Sequence, residues 1–276
     1  MPELRNMSRL LASANRRTLL HWLQDDTLFA FDFDGTLAPI VQDPENAFMP
    51  RPTWRALAAL STLARVAVIS GRGHTDLHRR LPAEVTYVIG NHGNEGRPIE
   101  DAGHRAEQEK CCRGWMNQIA TLRAQSPQWR HILGCVIENK GLTLSLHYRH
   151  CADQEKARIV LTQFAEMLTP QAQLVDGLAV INLLPPRARN KSDALTMLMA
   201  HSGCARALYV GDDTTDELAF AGAPEHWLTA RVGHEGQSCA RYRMANTREV
   251  RSLLDLAVRQ RQATSPQTAS LAWPWC

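Results

Sequence analysis

Short apolar runs recur along the chain and predict buried β-strands. The runs occupy residues 27–33, 65–69, 85–89, 207–210 and 227–232. Between several of these runs, apolar side chains recur at helical spacing, for example in residues 54–63 and 194–199. Strands that are apolar on both faces and alternate with helices are typical of a parallel sheet covered on both sides. The pattern therefore predicts a doubly wound α/β core with a parallel sheet.

The pattern changes between the third and the fourth run. A polar stretch with helical character covers residues 107–124, and residues 135–147 alternate apolar and polar positions around Asn139-Lys140-Gly141, which predicts a hairpin. Residues 153–168 have helical spacing, and residues 171–184 resemble a second strand pair around the turn dipeptide Asp176-Gly177. This order of elements predicts a separate α+β unit inserted into the core.

We therefore expect two folded units and a tail. The α/β core is expected to comprise residues 1–105 and 184–260, and the α+β insert, or cap, residues 106–183. Residues 261–276 are rich in Ser, Thr, Gln, Ala and Pro and are expected to form a flexible tail.

Polar, glycine-containing segments follow four of the predicted strands. They are residues 32–36 (DFDGT), 70–72 (SGR), 90–93 (GNHG) and 211–217 (GDDTTDE). Ligands of open parallel sheets bind outside the carboxyl ends of the strands. We therefore expect these distant segments to meet in one crevice.

Asp32 and Asp34 are the candidate catalytic residues. One carboxylate can attack phosphorus and form an aspartyl phosphate, and the other can protonate the leaving oxygen and then activate water. A carboxylate pair at a strand end can also simply cap the next turn, so Asp-x-Asp alone is a weak signal. Its fusion to Gly35-Thr36 is a stronger one, because Gly35 allows a backbone turn whose amides can face a phosphate.

A second acidic cluster contains Asp212, Asp213 and Asp216. Adjacent carboxylates at a strand end repel each other unless a cation lies there, and Mg²⁺ prefers oxygen ligands that include one or two carboxylates. Asp212 is therefore the predicted metal ligand, with Asp213 in a supporting role. Asp216 either supports the metal site or is a favourable carboxylate in the first turn of a helix, and the second role is preferred for Glu217.

Two further segments offer groups that can bind a phosphate. Ser70 and Gly71 provide a hydroxyl and backbone amides at a strand end, although Ser70 can equally be an ordinary helix N-cap. Lys191 precedes a helical segment and can place a positive charge on a phosphate, although most lysines are solvated surface residues. Neither signal identifies a site by itself.

Composition narrows the classes of function. The 276 residues carry a net charge of only +3 without a long basic run, which argues against nucleic-acid binding. Seven cysteines without a C-x-x-C pair argue against a disulfide framework or a zinc site. The apolar runs are shorter than a membrane span, and residues 1–17 contain no uninterrupted apolar segment. We expect a cytoplasmic monomer with no nucleic-acid or membrane partner.

Together, the four polar segments and Lys191 resemble the motifs of phosphatases of the haloacid-dehalogenase (HAD) superfamily. The resemblance implies a Rossmann-like core whose inserted cap carries substrate specificity, and Mg²⁺ as the cofactor. It implies that Asp32 is the nucleophile and Asp34 the acid/base. The implied phosphate-binding residues are Ser70, Gly71 and Lys191. The implied metal ligands are Asp32, Asp34 through its backbone carbonyl, Asp212 and Asp213.

Finer features resemble the trehalose-6-phosphate phosphatase family. They comprise residues 32–40 (DFDGTLAPI), the segments SGR, NHG and HYR, and residues 211–217, and the similarity extends over about residues 28–232. It implies a phosphorylated sugar as substrate, held by a Glu-x-Lys element in the cap. The implied substrate-binding residues are Arg72, Asn91, His92, Glu138, Lys140, His147, Arg149 and Asn182. Structural roles stay open: Glu138 and Lys140 can form a surface ion pair, and His92 can pack a loop.

Two positions depart from the family pattern. Asn182 stands where the family has a glutamate, and Ser192 follows Lys191 where the family has glycine. Asn182 can bind hydroxyls but carries no charge, so the sugar's identity is left open. The family resemblance nevertheless implies hydrolysis of trehalose 6-phosphate to trehalose and phosphate as the first expectation. The alternatives are a phosphatase for another phosphorylated sugar or glycoside, a phosphotransferase, and a non-catalytic sugar-phosphate sensor.

Overall fold

Strands and helices alternate along the computed structural model, which describes residues 7–24, 26–233 and 237–264. The first part contains β1 (Ser8–Arg9), α1 (Arg16–Trp22), β2 (Thr27–Phe31), α2 (Arg51–Ser61), β3 (Val66–Ile69), α3 (His74–Arg80) and β4 (Tyr87–Ile89). The middle contains α4 (Ala102–Gln125), β5 (Val136–Asn139), β6 (Leu144–His147), α5 (Gln154–Glu166), β7 (Gln173–Gly177) and β8 (Val180–Leu184). The last part contains α6 (Lys191–Ser202), β9 (Arg206–Gly211), α7 (Thr214–Ala221), β10 (Trp227–Val232), β11 (Tyr242–Met244) and α8 (Thr247–Thr264).

Seven strands form a parallel sheet in the order β1-β11-β10-β9-β2-β3-β4. The strands predicted from apolar runs are confirmed to within two residues at either end, and they are β2, β3, β4, β9 and β10. By contrast, β1 and β11 have only two and three residues, which is too short to leave a recognisable pattern. The predicted doubly wound α/β class is confirmed.

Alternate side chains of one strand enter two different hydrophobic clusters. Phe29 and Phe31 of β2 pack with residues of α2 and α8, whereas Leu28 and Ala30 pack with residues of α6 and α7. Successive side chains of a strand point to opposite faces, so both series must be apolar when helices cover both faces. This burial explains why the runs show no alternation with polar residues.

The predicted insert forms its own antiparallel sheet, in the order β5-β6-β8-β7. Trp115 of α4 and Leu161 of α5 belong to one hydrophobic cluster with Leu144 of β6 and Leu183 of β8. The helices therefore cover one face of this small sheet. The predicted order of helix, two strands, helix and two strands is confirmed.

The tight turn between β7 and β8 lies two residues beyond the predicted dipeptide. Asp176 pairs with Ile181 and Gly177 with Val180, so residues 178 and 179 form the loop. Ile181 is buried in the cap cluster, and a shift of one residue in register would turn it to the other face. Burial of β8 therefore overrides the local preference of Asp-Gly for a turn.

The C-terminal helix extends into the predicted tail. Because α8 ends at Thr264, residues 261–264 are helical, and Arg261 donates a 2.7 Å hydrogen bond to the carbonyl of Leu63. The remaining part of the predicted tail lies outside the described residues. None of the helices in the described ranges is long and apolar enough to cross a membrane.

Candidate active site

The carboxyl ends of three neighbouring strands carry predicted catalytic groups. Asp32 follows β2, Ser70 follows β3 and Asp212 follows β9, and β2 lies between the other two strands. Lys191, the first residue of α6, reaches the same edge of the sheet, where it contacts Asp32. The predicted meeting of these distant segments is confirmed.

Three carboxylates lie together at this edge. Oxygen atoms of Asp32, Asp212 and Asp216 all lie within 4.8 Å of one another. Asp32 and Asp216 are buried and Asp212 is partly buried. Negative groups at this spacing repel each other unless a cation or a proton compensates. The donor set fits a divalent metal ion such as the HAD-type phosphatases require, because such ions bind carboxylate oxygens.

Lys191 supplies a positive charge to this group. Its Nζ lies 3.0 Å from Oδ1 of Asp32 and 2.8 Å from Oδ1 of Asp216, and its side chain is only 2% exposed. Burial alone would lower the pKa of Lys191, but the carboxylates of Asp216 and Asp32 raise it above its ordinary value. Lys191 is therefore a buried cation held between Asp32 and Asp216.

One lysine does not neutralise the cluster. Burial raises the pKa of Asp32 well above its usual range, opposed by the charge of Lys191 and reinforced by those of Asp216 and Asp212. Burial, followed by the charge of Asp216, raises the pKa of Asp212 to about 7. Since metal ligands must lose their protons, a bound cation would compete with protons here. The excess negative charge thus favours cation binding.

Asp216 lies at the start of a helix and also contacts groups around Asp32, and its support of a metal site stays a prediction. It lies in the first turn of α7, where its Oδ2 accepts hydrogen bonds from the backbone N–H groups of Asp212 and Asp213 at 3.0 Å. Its Oδ1 accepts from Lys191 and, at 2.5 Å, from the hydroxyl of Tyr209. Tyr209 was not predicted as a site residue, because its place in an apolar strand marked it only as a core residue.

Asp213 does not belong to the group of three carboxylates. Its side chain caps α7 and accepts hydrogen bonds from the N–H and the hydroxyl of Thr214 at 2.7 and 3.2 Å. Its charge nevertheless helps to raise the pKa of Asp212. A contact between Asp213 and a metal stays a prediction.

The loop after β2 packs directly against Asp212. Gly35 adopts φ +78°, and a Cβ at this position would lie 1.9 Å from Oδ2 of Asp212. Thr36 donates a hydrogen bond from its hydroxyl to Oδ1 of Asp212 at 3.2 Å. Glycine is therefore needed at position 35 for its backbone conformation and for the close approach of the carboxylate.

Asp34, the predicted acid/base, is bound by Arg72. The Nε and Nη2 atoms of Arg72 donate to the two carboxylate oxygens of Asp34, each at 2.7 Å. Arg72 was predicted to bind substrate. In the structure its guanidinium already has a carboxylate partner within the protein.

Ser70 and Gly71 both contact His92, Ser70 through its backbone carbonyl and Gly71 against the ring. Ser70 is buried and accepts a hydrogen bond from the N–H of Arg72 at 3.2 Å. A Cβ on Gly71 would lie 2.5 Å from Cε1 of His92, so the imidazole packs directly on this glycine. His92 is 7% exposed, and neither ring nitrogen has a hydrogen-bond partner among the described residues.

The charge state of His92 follows from this environment. Burial lowers the pKa of His92 well below its usual range, and the charges of Lys140 and Lys191 lower it further. A neutral imidazole next to two lysines can accept or donate a hydrogen bond. The contact of His92 with substrate stays a prediction, supported by its unpaired nitrogens.

Asn91 connects the core to the cap. Its Oδ1 accepts a hydrogen bond from the hydroxyl of Thr143 at 2.9 Å, and its Nδ2 donates to Glu95 at 2.7 Å and to the carbonyl of Lys140 at 3.3 Å. Both Asn91 and His92 adopt positive φ angles, of 49° and 59°. Strained backbone of this kind is concentrated at functional sites.

Three predicted sugar-binding groups of the cap form one cluster. Glu138 lies 2.8 Å from Nε2 of His147 and 3.7 Å from Nζ of Lys140. Nζ of Lys140 also donates to the carbonyl of Gly71 at 3.3 Å, which joins the cluster to the predicted phosphate-binding segment. Burial raises the pKa of Glu138, but the hydrogen bond from His147 and the charge of Lys140 lower it below its usual value.

Arg149 and Asn182 have structural partners. Arg149 donates to the carbonyls of Val41 and Gln42 in the core and of Leu178 in the cap. Asn182 accepts from the hydroxyl of Ser145 at 2.7 Å and donates to the carbonyl of Val175 at 3.3 Å. Arg149 therefore ties the cap to the core, and Asn182 joins neighbouring strands. Their contacts with substrate stay predictions.

Comparison with known proteins identifies the family of the chain. The sequence model of the trehalose-phosphatase family matches residues 30–249 of the chain. The chain belongs to the trehalose-phosphatase family. Trehalose-6-phosphate phosphatase of Escherichia coli K12 is 30% identical over 232 residues, which cover 82% of this chain and 84% of that protein.

The chain matches other similar proteins over very different shares of their length. An uncharacterized glycosyl hydrolase of Mycobacterium tuberculosis is 32% identical over 197 residues, which cover 68% of this chain but only 15% of that protein. The C-terminal domain of Candida albicans trehalose-6-phosphate phosphatase superposes with a TM-score of 0.70 at 23% identity, covering 92% of this chain and 98% of that domain. The predicted HAD-type fold is confirmed.

Proposed function

We propose that this trehalose-phosphatase family member is a Mg²⁺-dependent phosphatase that converts trehalose 6-phosphate to trehalose and phosphate. The observation that carries the proposal is the buried contact between Lys191 and Asp32, at 3.0 Å, inside an acidic group that includes Asp212. A nucleophilic carboxylate, a phosphate-binding cation and metal ligands are the groups that phosphoryl transfer through aspartate requires.

Asp32 and Asp34 divide the chemistry between them. An oxygen of Asp32 attacks phosphorus while the bond between phosphorus and O6 of the sugar breaks, and Asp34 gives its proton to the departing O6. Water then attacks the phosphorus of the aspartyl phosphate and gives a proton to Asp34. The phosphorus–oxygen bond to Asp32 breaks, which releases phosphate and regenerates both carboxyl groups.

The surrounding groups bind the phosphoryl oxygens. Lys191 and the hydroxyl of Ser70, with the backbone amide of Gly71, are positioned at the strand ends beside Asp32. Asp32, the backbone carbonyl of Asp34, and Asp212 would hold Mg²⁺, which when bound supplies positive charge to the phosphoryl group. Asp216 orients Lys191 and the Asp212 backbone through hydrogen bonds.

The cap contributes the sugar-binding groups. Glu138, Lys140 and His147 form one cluster that offers acceptors and donors for hydroxyls, and Lys140 connects it to Gly71, so these three are the proposed sugar contacts. Asn182 is hydrogen-bonded to Ser145 and Val175, and because it is uncharged, its replacement of the family glutamate leaves one fewer negative charge in the cap. This difference keeps another phosphorylated sugar or glycoside as the alternative substrate.

Release of inorganic phosphate from trehalose 6-phosphate, sucrose 6-phosphate and glucose 6-phosphate tests the proposal. With Mg²⁺ present, kcat/KM for trehalose 6-phosphate should exceed that for the other two esters by about 10-fold or more. Asp32→Asn should fold normally but lose more than about 1,000-fold in activity. A higher kcat/KM for another ester would show that trehalose 6-phosphate is not the preferred substrate. Transfer of the phosphate to a second sugar would indicate a phosphotransferase. Binding of the esters without turnover would indicate a sensor.

A further inference from the structure

The carboxylate of Asp34 is held by a two-bond contact with Arg72. Nε of Arg72 donates to Oδ2 and Nη2 donates to Oδ1, both at 2.7 Å. The side chain of Arg72 is 11% exposed and that of Asp34 is 33% exposed, so solvent reaches the acid but hardly the arginine. A bidentate pair fixes both the position and the plane of the carboxylate.

A second layer of contacts fixes Arg72. Its Nη1 donates to Asp76 of α3 at 2.9 Å, its Nη2 donates to the carbonyl of Pro44 at 2.8 Å, and its guanidinium lies 5.5 Å from the ring centre of Phe33. Asp76 in turn accepts a 2.9 Å hydrogen bond from Nε of Arg80. Charges of alternating sign therefore extend from Asp34 to α3.

These contacts leave Arg72 poorly suited to clamp a phosphate. Of the five N–H groups of a guanidinium, one on Nε, one on Nη1 and both on Nη2 already have acceptors in the protein. A bidentate contact with a phosphate or a sugar would require Arg72 to release Asp34 or Asp76. The predicted role of Arg72 in substrate binding thus conflicts with its observed bonding.

We propose that Arg72 is a positioning residue that aims Asp34 at the leaving oxygen, and that Asp76 holds Arg72 in place for this purpose. The inference rests on the proposed function, in which Asp34 passes its proton to the departing sugar oxygen. Orientation of such a group matters because proton transfer requires hydrogen-bonding distance and alignment. Asp34 touches the reacting atoms, whereas Arg72 and Asp76 act through it.

Leaving groups of different basicity separate positioning from binding. The alkoxide of a sugar needs a proton from Asp34 to depart, whereas p-nitrophenolate departs from p-nitrophenyl phosphate without one. Both esters present the same phosphate to Ser70, Lys191 and the metal site. A defect in aiming Asp34 should therefore slow release of the sugar in the first turnover far more than release of p-nitrophenolate. The later hydrolysis of the aspartyl phosphate, in which Asp34 takes a proton from water, is common to both esters and does not enter this comparison.

The test compares Arg72→Lys and Asp76→Asn with the unmodified chain in Mg²⁺, on the preferred sugar phosphate and on p-nitrophenyl phosphate. We expect the first-turnover rate of sugar release, measured by rapid quench, to fall about 100-fold in Arg72→Lys and about 10-fold in Asp76→Asn. For the aryl ester, the first-turnover rate of p-nitrophenolate release should stay within about threefold, and the substrate concentration that gives half of the maximal first-turnover rate should change less than about threefold for either ester. Arg79 is an exposed residue of α3, the helix that contains Asp76, so Arg79→Gln is the matched control and should leave the kinetics of both esters unchanged.

Several outcomes would overturn the inference. Equal losses of first-turnover rate on the two esters, or a higher half-saturating concentration with that rate unchanged, would make Arg72 a phosphate ligand instead. Unchanged kinetics in both variants would show that the contact has no role in turnover. If Arg72→Lys fails to fold, the comparison of the two esters in Asp76→Asn, whose side chain keeps its shape, tests the inference by itself. Inactivity of the unmodified chain toward both esters would instead overturn the proposed function, and this inference with it.

Discussion

The ammonium of Lys191 lies 3.0 Å from the carboxylate of Asp32, and both side chains are almost completely withdrawn from solvent. The same ammonium contacts Asp216 at 2.8 Å. Two buried carboxylates thus share one cation, and the remaining carboxylate, Asp212, lies beside them. This balance of charge makes the site sensitive to the loss of the lysine, to pH and to divalent cations.

Replacement of Lys191 should destabilise the protein as well as inactivate it. Lys191→Met leaves Asp32 and Asp216 without their cation, and removal of one partner from a buried ion pair costs about 3–5 kcal/mol. We expect a decrease of this size in the free energy of unfolding at pH 7, measured by urea denaturation. Lys156→Met, at an exposed position of α5, should change it by less than about 0.5 kcal/mol. Equal stability of both variants would contradict a buried pair.

Without metal, stability should fall as pH rises through 7. The folded-state pKa of Asp212 is raised to about 7 from an ordinary value of 3.8, so the folded protein holds a proton that the unfolded chain has already lost. This contribution is present at acidic pH and decreases by about 1.4 kcal/mol between pH 6 and pH 8. His92, whose pKa is lowered, acts in the opposite direction below about pH 6.5.

Comparison with Asp212→Asn isolates the effect of Asp212. The difference in unfolding free energy between the unmodified chain and this variant, measured in chelator, should decrease from pH 6 to pH 8. The contribution of His92 cancels in this difference because both proteins retain it. A difference that is constant with pH would show that Asp212 does not titrate in this range.

The sequence predicted the meeting of Asp32 with Asp212 because parallel strands bring their carboxyl ends to one edge of the sheet. The apolar runs predicted those strands well, because a strand covered by helices on both faces of the sheet needs apolar side chains at every position. The sequence could not decide the role of Asp216, because an acid at this position caps a helix whether or not it also binds Lys191. The partner of Arg72 was equally hidden, because Asp34 and Asp76 approach it only in the folded chain.

Local signals failed where tertiary burial opposed them. Asp176-Gly177 predicted a turn, but the register that buries Ile181 moves the turn to residues 178 and 179. Tyr209 looked like a core residue, and its hydroxyl nevertheless contacts Asp216. The alternation of apolar and polar residues predicts which face of a strand is buried, and turn preferences predict where a strand ends. Neither predicts which partner the hydroxyl of a buried tyrosine contacts.

Mg²⁺ should stabilise the protein more at high pH than at low pH. A cation bound by Asp32 and Asp212 competes with the proton that Asp212 holds near neutrality. At a concentration of 100 times Kd, such an ion adds about 2.7 kcal/mol to the free energy of unfolding. We expect a larger rise in melting temperature at pH 8 than at pH 6, and almost none in Asp212→Asn. A rise of equal size in that variant would place the ion elsewhere.

Gly35→Ala should disrupt the site beyond the strain of its backbone. A Cβ at position 35 would overlap Asp212, whereas Gly141 has a similar φ of +86° and open space around it. Gly141→Ala should therefore cost only about 1–2 kcal/mol, the strain of a left-handed residue. Gly35→Ala should cost more and should also abolish stabilisation by Mg²⁺, as measured by urea denaturation with and without the ion. Equal costs would show that Asp212 moves aside freely.

Thr143→Val tests whether the cap contact with Asn91 supports sugar binding. The substitution removes the 2.9 Å hydrogen bond to Oδ1 of Asn91 and leaves a buried acceptor unpaired, at a cost of about 1–3 kcal/mol. Because that cost weakens a contact between cap and core beside the proposed sugar contacts, KM for the sugar phosphate should rise about 5-fold to 10-fold. The KM for p-nitrophenyl phosphate should change little, because this ester makes no sugar contacts with Glu138 or Lys140. Thr121→Val, at an exposed position of α4, is the control, and an equal rise in KM for both esters would mean that the phosphate site itself had been distorted.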